Sequence, residues 1–273
     1  LNVTERRLRL RSNHYSPIPL YGKNPGVCDR WQWQTKHDAS IEEIEHWQVS
    51  FPDARNTGLL TKFCPAFDID ILHAEAVRAI EDLVRERFAD FGRILVRRGR
   101  APKAAVLFRT SEPFRKITRL FTAPEGFAPE DRDQRLEFLA DGQQIVAYGE
   151  HPDTGRPYEW IGGSPDNVPI DQLPDITADA AKDVAAAAAR ILVDQFGYKP
   201  KISSIGLDDC GGEHVAGEAQ APARLIERAL AVIPNDGGWD EWNRIGMAIF
   251  AGTGGSEAGF QLFDEWSGRS RCD

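Results

Sequence analysis

The sequence predicts an α+β fold followed by a small all-α domain, and three patterns predict it. Residues 65–91 read as one strand followed by one amphipathic helix, residues 94–148 read as a run of strands, and residues 223–266 carry helical periodicity alone. A chain of 273 residues is long enough for a catalytic core and a second, smaller domain.

The elements follow in order. Residues 15–35 are rich in Pro, Gly and Trp and form an ordered lead-in loop. Ser40 and Glu43 make a capping-box signature, and Ile41, Ile44 and Trp47 supply the apolar face of the helix it opens. Asn56-Thr57-Gly58-Leu59-Leu60-Thr61 leads into a strand from Pro65 to Ile71. In that strand Phe67, Ile69 and Ile71 alternate with Asp68 and Asp70, so period two puts the apolar residues on one face and both carboxylates on the other. Val77, Ile80, Val84, Phe88 and Phe91 repeat at helical spacing, which predicts a helix over His73–Phe91 that Gly92 ends. Strands are predicted at Ile94–Arg98, Ala104–Arg109, Phe114–Phe121 and Arg135–Leu139. Asp141-Gly142 is a hairpin signal, with Gln143–Tyr148 as the returning strand.

Thr177 caps a helix that reaches Phe196, favoured by five consecutive alanines at 185–189 and ended by Gly197. Residues 198–221, with Pro200, Gly206, Gly211, Gly212 and Gly217, read as a linker. Helices then span Ala223–Ile233, Trp239–Ala251 and Ser256–Trp266, with Trp239, Trp242 and Trp266 expected in their core. The expected domains are therefore 1–197, a linker at 198–221, and a helical domain at 222–273 that is expected to be truncated. With no initiator Met and an abrupt end at Asp273, the chain is expected to be the front of a longer protein.

Net charge is −9, which argues against a general nucleic-acid coat protein. The distribution says more than the sum. Residues 93–119 hold nine Lys and Arg against a single acid, Glu112. A local basic stretch in an acidic chain suggests a phosphate site. No apolar run approaches the length needed to cross a bilayer, so no membrane partner is expected. The N-terminus, with Arg6, Arg7, Arg9 and Arg11, lacks the apolar core of a signal peptide. Cys28, Cys64, Cys210 and Cys272 are far apart and fit free thiols in a reducing cytoplasm. Cys210 and His214 lie four apart without a second ligand pair, so no zinc site is expected there.

Asp68 and Asp70 carry the chemistry. Two carboxylates on one strand face repel each other, and divalent cations relieve that repulsion while bringing substrate phosphates. Asp-x-Asp alone is weak, because it also occurs in glycosyltransferases, phosphatases and exposed edge strands. Glu137, in Arg135-Leu136-Glu137-Phe138-Leu139, adds a third acid in a strand. Three acids on adjacent strands suit nucleotidyl transfer, in which a 3′-hydroxyl attacks and Mg²⁺ or Mn²⁺ carries the developing charge. Arg97, Lys103 and Arg109 lie on or beside strands of the basic stretch and could hold a triphosphate. Arg98 and Arg100 alternate differently and are expected to face solvent. His151 follows directly from the strand after Glu137, which brings it toward the same place.

These residues resemble the bifunctional DNA primase/polymerase (prim–pol) N-terminal domain of the archaeo-eukaryotic primase superfamily. The resemblance spans roughly residues 10–195. It rests on Pro17-Ile18-Pro19-Leu20 with Gly22-Lys23-Asn24-Pro25, and on Asn56-Thr57-Gly58 leading into Phe67-Asp68-Ile69-Asp70. It rests further on Leu136-Glu137 with Asp141-Gly142-Gln143-Gln144, and on His151-Pro152-Asp153-Thr154-Gly155-Arg156-Pro157-Tyr158-Glu159-Trp160. The resemblance implies an RRM-like sheet bearing the acids, a companion α/β module, and a nucleotidyltransferase that uses a divalent metal, nucleoside triphosphates and a single-stranded DNA template. It implies Asp68, Asp70 and Glu137 as catalytic metal ligands and Arg97, Lys103, Arg109 and His151 as nucleotide contacts. Lys23, Asn56, Thr57 and Lys116 are further candidates for template or nucleotide contacts. Many family members carry Ser-x-His between the acids; here that region is Arg97-Arg98-Gly99-Arg100-Ala101-Pro102-Lys103, similar to a branch seen in phage-type primases where Arg and Lys take over. Residues 222–273, with Ile226-Glu227-Arg228-Ala229-Leu230 and Phe263-Asp264-Glu265-Trp266-Ser267, resemble a helical primase C-terminal domain of the kind that often precedes a helicase. A catalytically degenerate DNA-binding initiation module and a metal-dependent nuclease remain open as rival readings.

Overall fold

The computed structural model describes residues 1–25, 38–201, 223–235 and 239–268. The lead-in loop beyond Pro25, the linker from residue 202, and Cys28, Cys210, His214 and Cys272 lie outside the described residues. The chain divides into two compact units, Leu1–Leu207 and Asp208–Asp273.

The first unit is built on two antiparallel sheets. Its larger sheet has seven strands in the order β10-β6-β7-β3-β5-β4-β9. These are β3 (Ala66–Asp70), β4 (Val96–Arg98), β5 (Ala104–Leu107), β6 (Ile117–Thr122), β7 (Asp133–Leu139), β9 (Glu159–Ile161) and β10 (Lys199–Pro200). The smaller sheet has the order β1-β2-β8, from β1 (Pro17–Leu20), β2 (Asn56–Leu60) and β8 (Gln144–Tyr148). Alternation along β3 works as the sequence predicts. Phe67, Ile69 and Ile71 are fully buried, while Asp68 and Asp70 sit on the opposite face. The apolar face packs under α3 (Ala74–Phe88) and α4 (Ala178–Phe196), where Phe67 stacks on Phe138 at 4.6 Å and Val84, Phe108 and Leu192 complete the core. Thr177 caps α4 and Gly197, in the left-handed conformation at φ 69°, ends it.

The other face of the large sheet is covered only in part. Ala66, Ala105 and Leu107 pack against Leu59, Ile145 and Ala147 of the smaller sheet. Farther along the same strands the two sheets separate, and the acids lie there.

Four expectations are corrected. An N-terminal helix, α1 (Val3–Ser12), was not predicted; it is capped reciprocally by Asn2 and Glu5. Only Arg7 and Leu10 are buried along it, so it shows almost no apolar periodicity. The hairpin at Asp141-Gly142 does not form. The turn is present, with the Gln143 N–H donating to the Ala140 carbonyl, but it passes the chain from β7 in the large sheet to β8 in the small one. Both edges of β7 are already taken, by β3 and β6, so no returning strand can pair there. The helix expected to reach Phe91 ends at Phe88 and closes through a 3₁₀ turn, Ala89–Phe91. Finally, Arg98 does not face solvent. It pairs with the buried Glu81 of α3 and donates to the Pro102 carbonyl. The predicted helix opened by Ser40 is α2 (Ile41–Ser50), with its reciprocal cap in place.

The second unit has three helices, α5 (Ala223–Leu230), α6 (Trp239–Gly252) and α7 (Glu257–Ser267). Leu230, Ile249 and Trp266 form its core, with Trp242 and Phe263 packed against them. The indoles of Trp242 and Trp266 donate to Ser267 Oγ and the Ile233 carbonyl. Trp239 is 72% exposed, so two of the three tryptophans expected inside are there and one is not.

Candidate functional site

Strand register assembles the acids. Asp68 on β3 stands directly opposite Glu137 on β7, and Asp70 opposite Arg135. On the other side Asp68 and Arg97 both oppose Ala105 of β5. Directly paired residues on neighbouring antiparallel strands share a face, with side chains roughly 5 Å apart at Cβ. Asp68, Asp70, Arg97 and Arg135 therefore project together into the gap between the sheets, with Glu137 on the same sheet face beside it.

Each acid is held by cations. The Asp68 carboxylate lies 3.6 Å from Arg97. Asp70 pairs with Lys103, and with Arg135 at 3.4 Å. Glu137 takes Lys116 at 2.8 Å, Arg135 at 3.4 Å and a hydrogen bond from the Thr118 hydroxyl. Burial pushes the Asp68 carboxyl above the usual carboxylate range; Arg97 opposes that shift, and Asp70 and Glu137 reinforce it. The Arg97 Nε–H is buried and has no hydrogen-bond partner.

The gap is a cavity of about 250 Å³. Asp68, Asp70, Arg97, Lys103 and Arg135 line it from the large sheet, and Lys23, His151 and Tyr158 from the opposite side. Asn56 sets that opposite wall. Its amide donates to the Gly22 and Glu150 carbonyls and accepts from the Glu150 N–H, which fixes the turns carrying Lys23 and His151. Gly149 makes the arrangement possible: its φ of 113° and the position of Asn56 Oδ1, 1.9 Å from where a Cβ would be, exclude a side chain. His151 Nδ1 accepts from the Asp153 N–H, so the proton of the neutral ring sits on Nε2. Burial and the neighbouring cations Lys23, Arg97 and Arg100 hold this imidazole below its ordinary pKa, against Asp153. The Arg97 guanidinium lies over the Tyr158 ring at 4.9 Å.

The structure brings Asp68, Asp70, Arg97, Lys103, His151 and Lys23 to one cavity. Glu137, 5% exposed, and Lys116 sit beside it without lining it. Arg109 is elsewhere. It donates to the Leu173 carbonyl and pairs with Asp175 at 3.2 Å, so it has no access to the cavity. Asn56 and Thr57 are buried, Thr57 Oγ1 accepts from Arg7, and neither lines the cavity. Arg100, Arg135 and Tyr158 line the cavity unforeseen. Period two from Glu137 would have found Arg135.

Could these residues hold a divalent metal? The donors are carboxylate oxygens, which suit Mg²⁺ or Mn²⁺, and the desolvated, mutually repelling acids around Asp68 favour a nearby cation. Among the described residues no three His, Cys, Asp or Glu side chains converge as a ready metal cluster. In this structure Lys103, Lys116 and Arg135 are paired with the carboxylates of Asp70 and Glu137. The donor set fits, with its oxygens engaged by side-chain cations.

A family model described as bifunctional DNA primase/polymerase, N-terminal (Prim-Pol), matches residues 8–176. The chain belongs to the Prim-Pol family. The matched span covers the smaller sheet, Asp68, Asp70, Glu137 and the whole cavity lining. A second model, primase C terminal 2 (PriCT-2), matches residues 226–272, the helical unit that follows the Prim-Pol core. No curated protein matches the chain. Among the described residues, no helix is long and apolar enough to cross a membrane.

Proposed function

We propose that this Prim-Pol chain is a DNA primase/polymerase: it joins nucleotides on a single-stranded DNA template by metal-dependent nucleotidyl transfer. One observation carries the reading, the in-register placement of Asp68, Asp70 and Glu137 on adjacent strands beside a cavity lined with cations. Asp68, Asp70 and Glu137 would hold Mg²⁺ or Mn²⁺. A metal held there would supply Lewis-acid chemistry, lowering the pKa of a 3′-hydroxyl and offsetting negative charge on a leaving pyrophosphate. Arg97, Lys103 and Arg135 neutralise the acids when the site is empty and turn to the triphosphate oxygens when it fills. Arg97 is best placed for this, since its buried Nε–H lacks an acceptor. His151 adds an Nε2–H donor from the opposite wall, and Lys23 a second cation.

We place the domain boundary within residues 198–221, after which the helical unit would join the core to a downstream helicase. The ion pairs on Asp70 and Glu137 favour a second reading, a DNA-binding initiation module without catalysis. One experiment separates them: primer synthesis and extension on a single-stranded template, with ribo- and deoxynucleotide pools supplied separately. Metal-dependent products that vanish in Asp70→Asn support the enzyme. Template binding without any product supports the module.

A further inference from the structure

A second cavity, of about 400 Å³, adjoins the first. The two share Gly99 and Arg100. Gly99 forms the saddle between them. Its backbone runs so close over Tyr158 and His151 that a Cβ there would lie 2.5 Å from the Tyr158 ring. Beyond the saddle the walls carry Arg98, Arg100, Thr154, Arg156 and Glu159. Arg98 is engaged by Glu81 and the Pro102 carbonyl, so it shapes the wall without offering charge. Among the described residues Arg100 has only a distant acid, Asp131 at 4.0 Å, with both side chains well exposed. Arg156 is exposed and its side chain has no ion pair among the described residues; its backbone N–H donates to Thr154 Oγ1 and its carbonyl accepts from the His151 N–H. Glu159 is the one acid in this wall.

We infer that the second cavity binds the phosphate backbone of the DNA strand, with Arg156 and Arg100 as its cations, and that the strand passes over Gly99 from the catalytic cavity. The inference rests on the proposed function for the identity of the strand, but not on catalysis. Two guanidiniums and a hydroxyl are phosphodiester ligands, and Gly99 and Arg100 are shared by both cavities, so a strand held by one reaches the other. Neither Arg156 nor Thr154 lines the catalytic cavity, so they can be altered without touching the acids.

The test measures binding of a fluorescent single-stranded oligonucleotide to the full chain, in chelator and without nucleotide, across a salt series. Removing one phosphate contact lowers the slope of log affinity against log salt by ~0.7 for a single strand. Arg156→Ala should therefore bind more weakly at 50 mM salt, with its deficit shrinking ~2.6-fold by 200 mM. Arg156→Lys should restore most of the slope. Glu159→Gln, at an exposed edge-strand position, should bind more tightly than the parent. Nucleotide affinity, measured separately on the same proteins, should not move. An unchanged salt slope in Arg156→Ala, or a loss confined to nucleotide binding, overturns the strand assignment. Because no turnover is needed, absence of primer synthesis by the parent chain, with these binding results intact, would count against the catalytic reading alone.

Discussion

Asn56→Ala gives the most detailed test of how the cavity is built. The Asn56 amide makes three hydrogen bonds, to the Gly22 carbonyl at 2.9 Å, the Glu150 carbonyl at 2.8 Å and the Glu150 N–H at 2.9 Å. The residue is 5% exposed, so water replaces few of them. At about 1 kcal/mol for each lost bond, the substitution should cost about 3 kcal/mol. In a unit of this size that corresponds to a fall in Tm of roughly 6–12 °C. Urea unfolding should show the midpoint moving with little change in slope. Nucleotide affinity should fall as well, because the turns bearing Lys23 and His151 lose their common anchor. Gly149→Ala should damage the same clamp from the other side, since its Cβ would meet Asn56 Oδ1 at 1.9 Å. The double variant should then cost less than the two singles combined, because truncating Asn56 removes part of that clash. A loss below about 1 kcal/mol in Asn56→Ala, or strict additivity with Gly149→Ala, would refute the clamp.

Other outcomes follow from the same geometry. Phe138→Ala removes the ring stacked on Phe67 in the fully buried core and should cost about 3–5 kcal/mol by urea unfolding. Arg109→Ala should leave nucleotide affinity unchanged and alter stability by no more than about 1 kcal/mol, since its ion pair with Asp175 is half exposed; weaker nucleotide binding would return Arg109 to the site. Burial pushes the Cys64 thiol and the Tyr15 and Tyr148 hydroxyls well above their ordinary pKa values, so these groups stay neutral when folded. Their contribution is complete below an unfolded-state pKa of about 8.5 for the thiol and about 10 for the phenols, and it declines as pH rises beyond those values. Thermal unfolding across pH 7–11 should show that alkaline loss, and peptide mapping after alkylation at neutral pH should find Cys64 unmodified until the protein unfolds.

Much of the acid-bearing layer was legible because strands obey a simple rule. Alternation around Asp68 and Asp70 fixed which face carries the acids, and the same period placed Glu137 and would have placed Arg135. What alternation cannot supply is partner choice. Asp141-Gly142 looks like a hairpin, yet β7 is an interior strand, and only the complete sheet reveals that its edges are occupied. Helix α1 escaped because its buried face is Arg7 and Leu10, and a buried arginine satisfied by Thr57 and the carbonyls of Ala54 and Asn56 leaves no apolar signature. That Arg109 lies away from the cavity was hidden for a related reason. Its position in the basic stretch resembles that of Lys103, but it lies past the end of β5 beside Asp175. Trp239 shows the limit of composition, since a large aromatic in a small helical unit can remain exposed.

Manganese binding followed by electron paramagnetic resonance tests the central claim most directly. Titration is made with a nucleoside triphosphate present, so that Arg97, Lys103 and Arg135 have phosphates to engage. The parent chain should immobilise Mn²⁺, and Asp68→Asn and Asp70→Asn should each weaken that binding at least tenfold while unfolding at temperatures close to the parent's. Equal Mn²⁺ binding in the parent and in both variants would contradict it, leaving the acids as partners of their cations and nothing more.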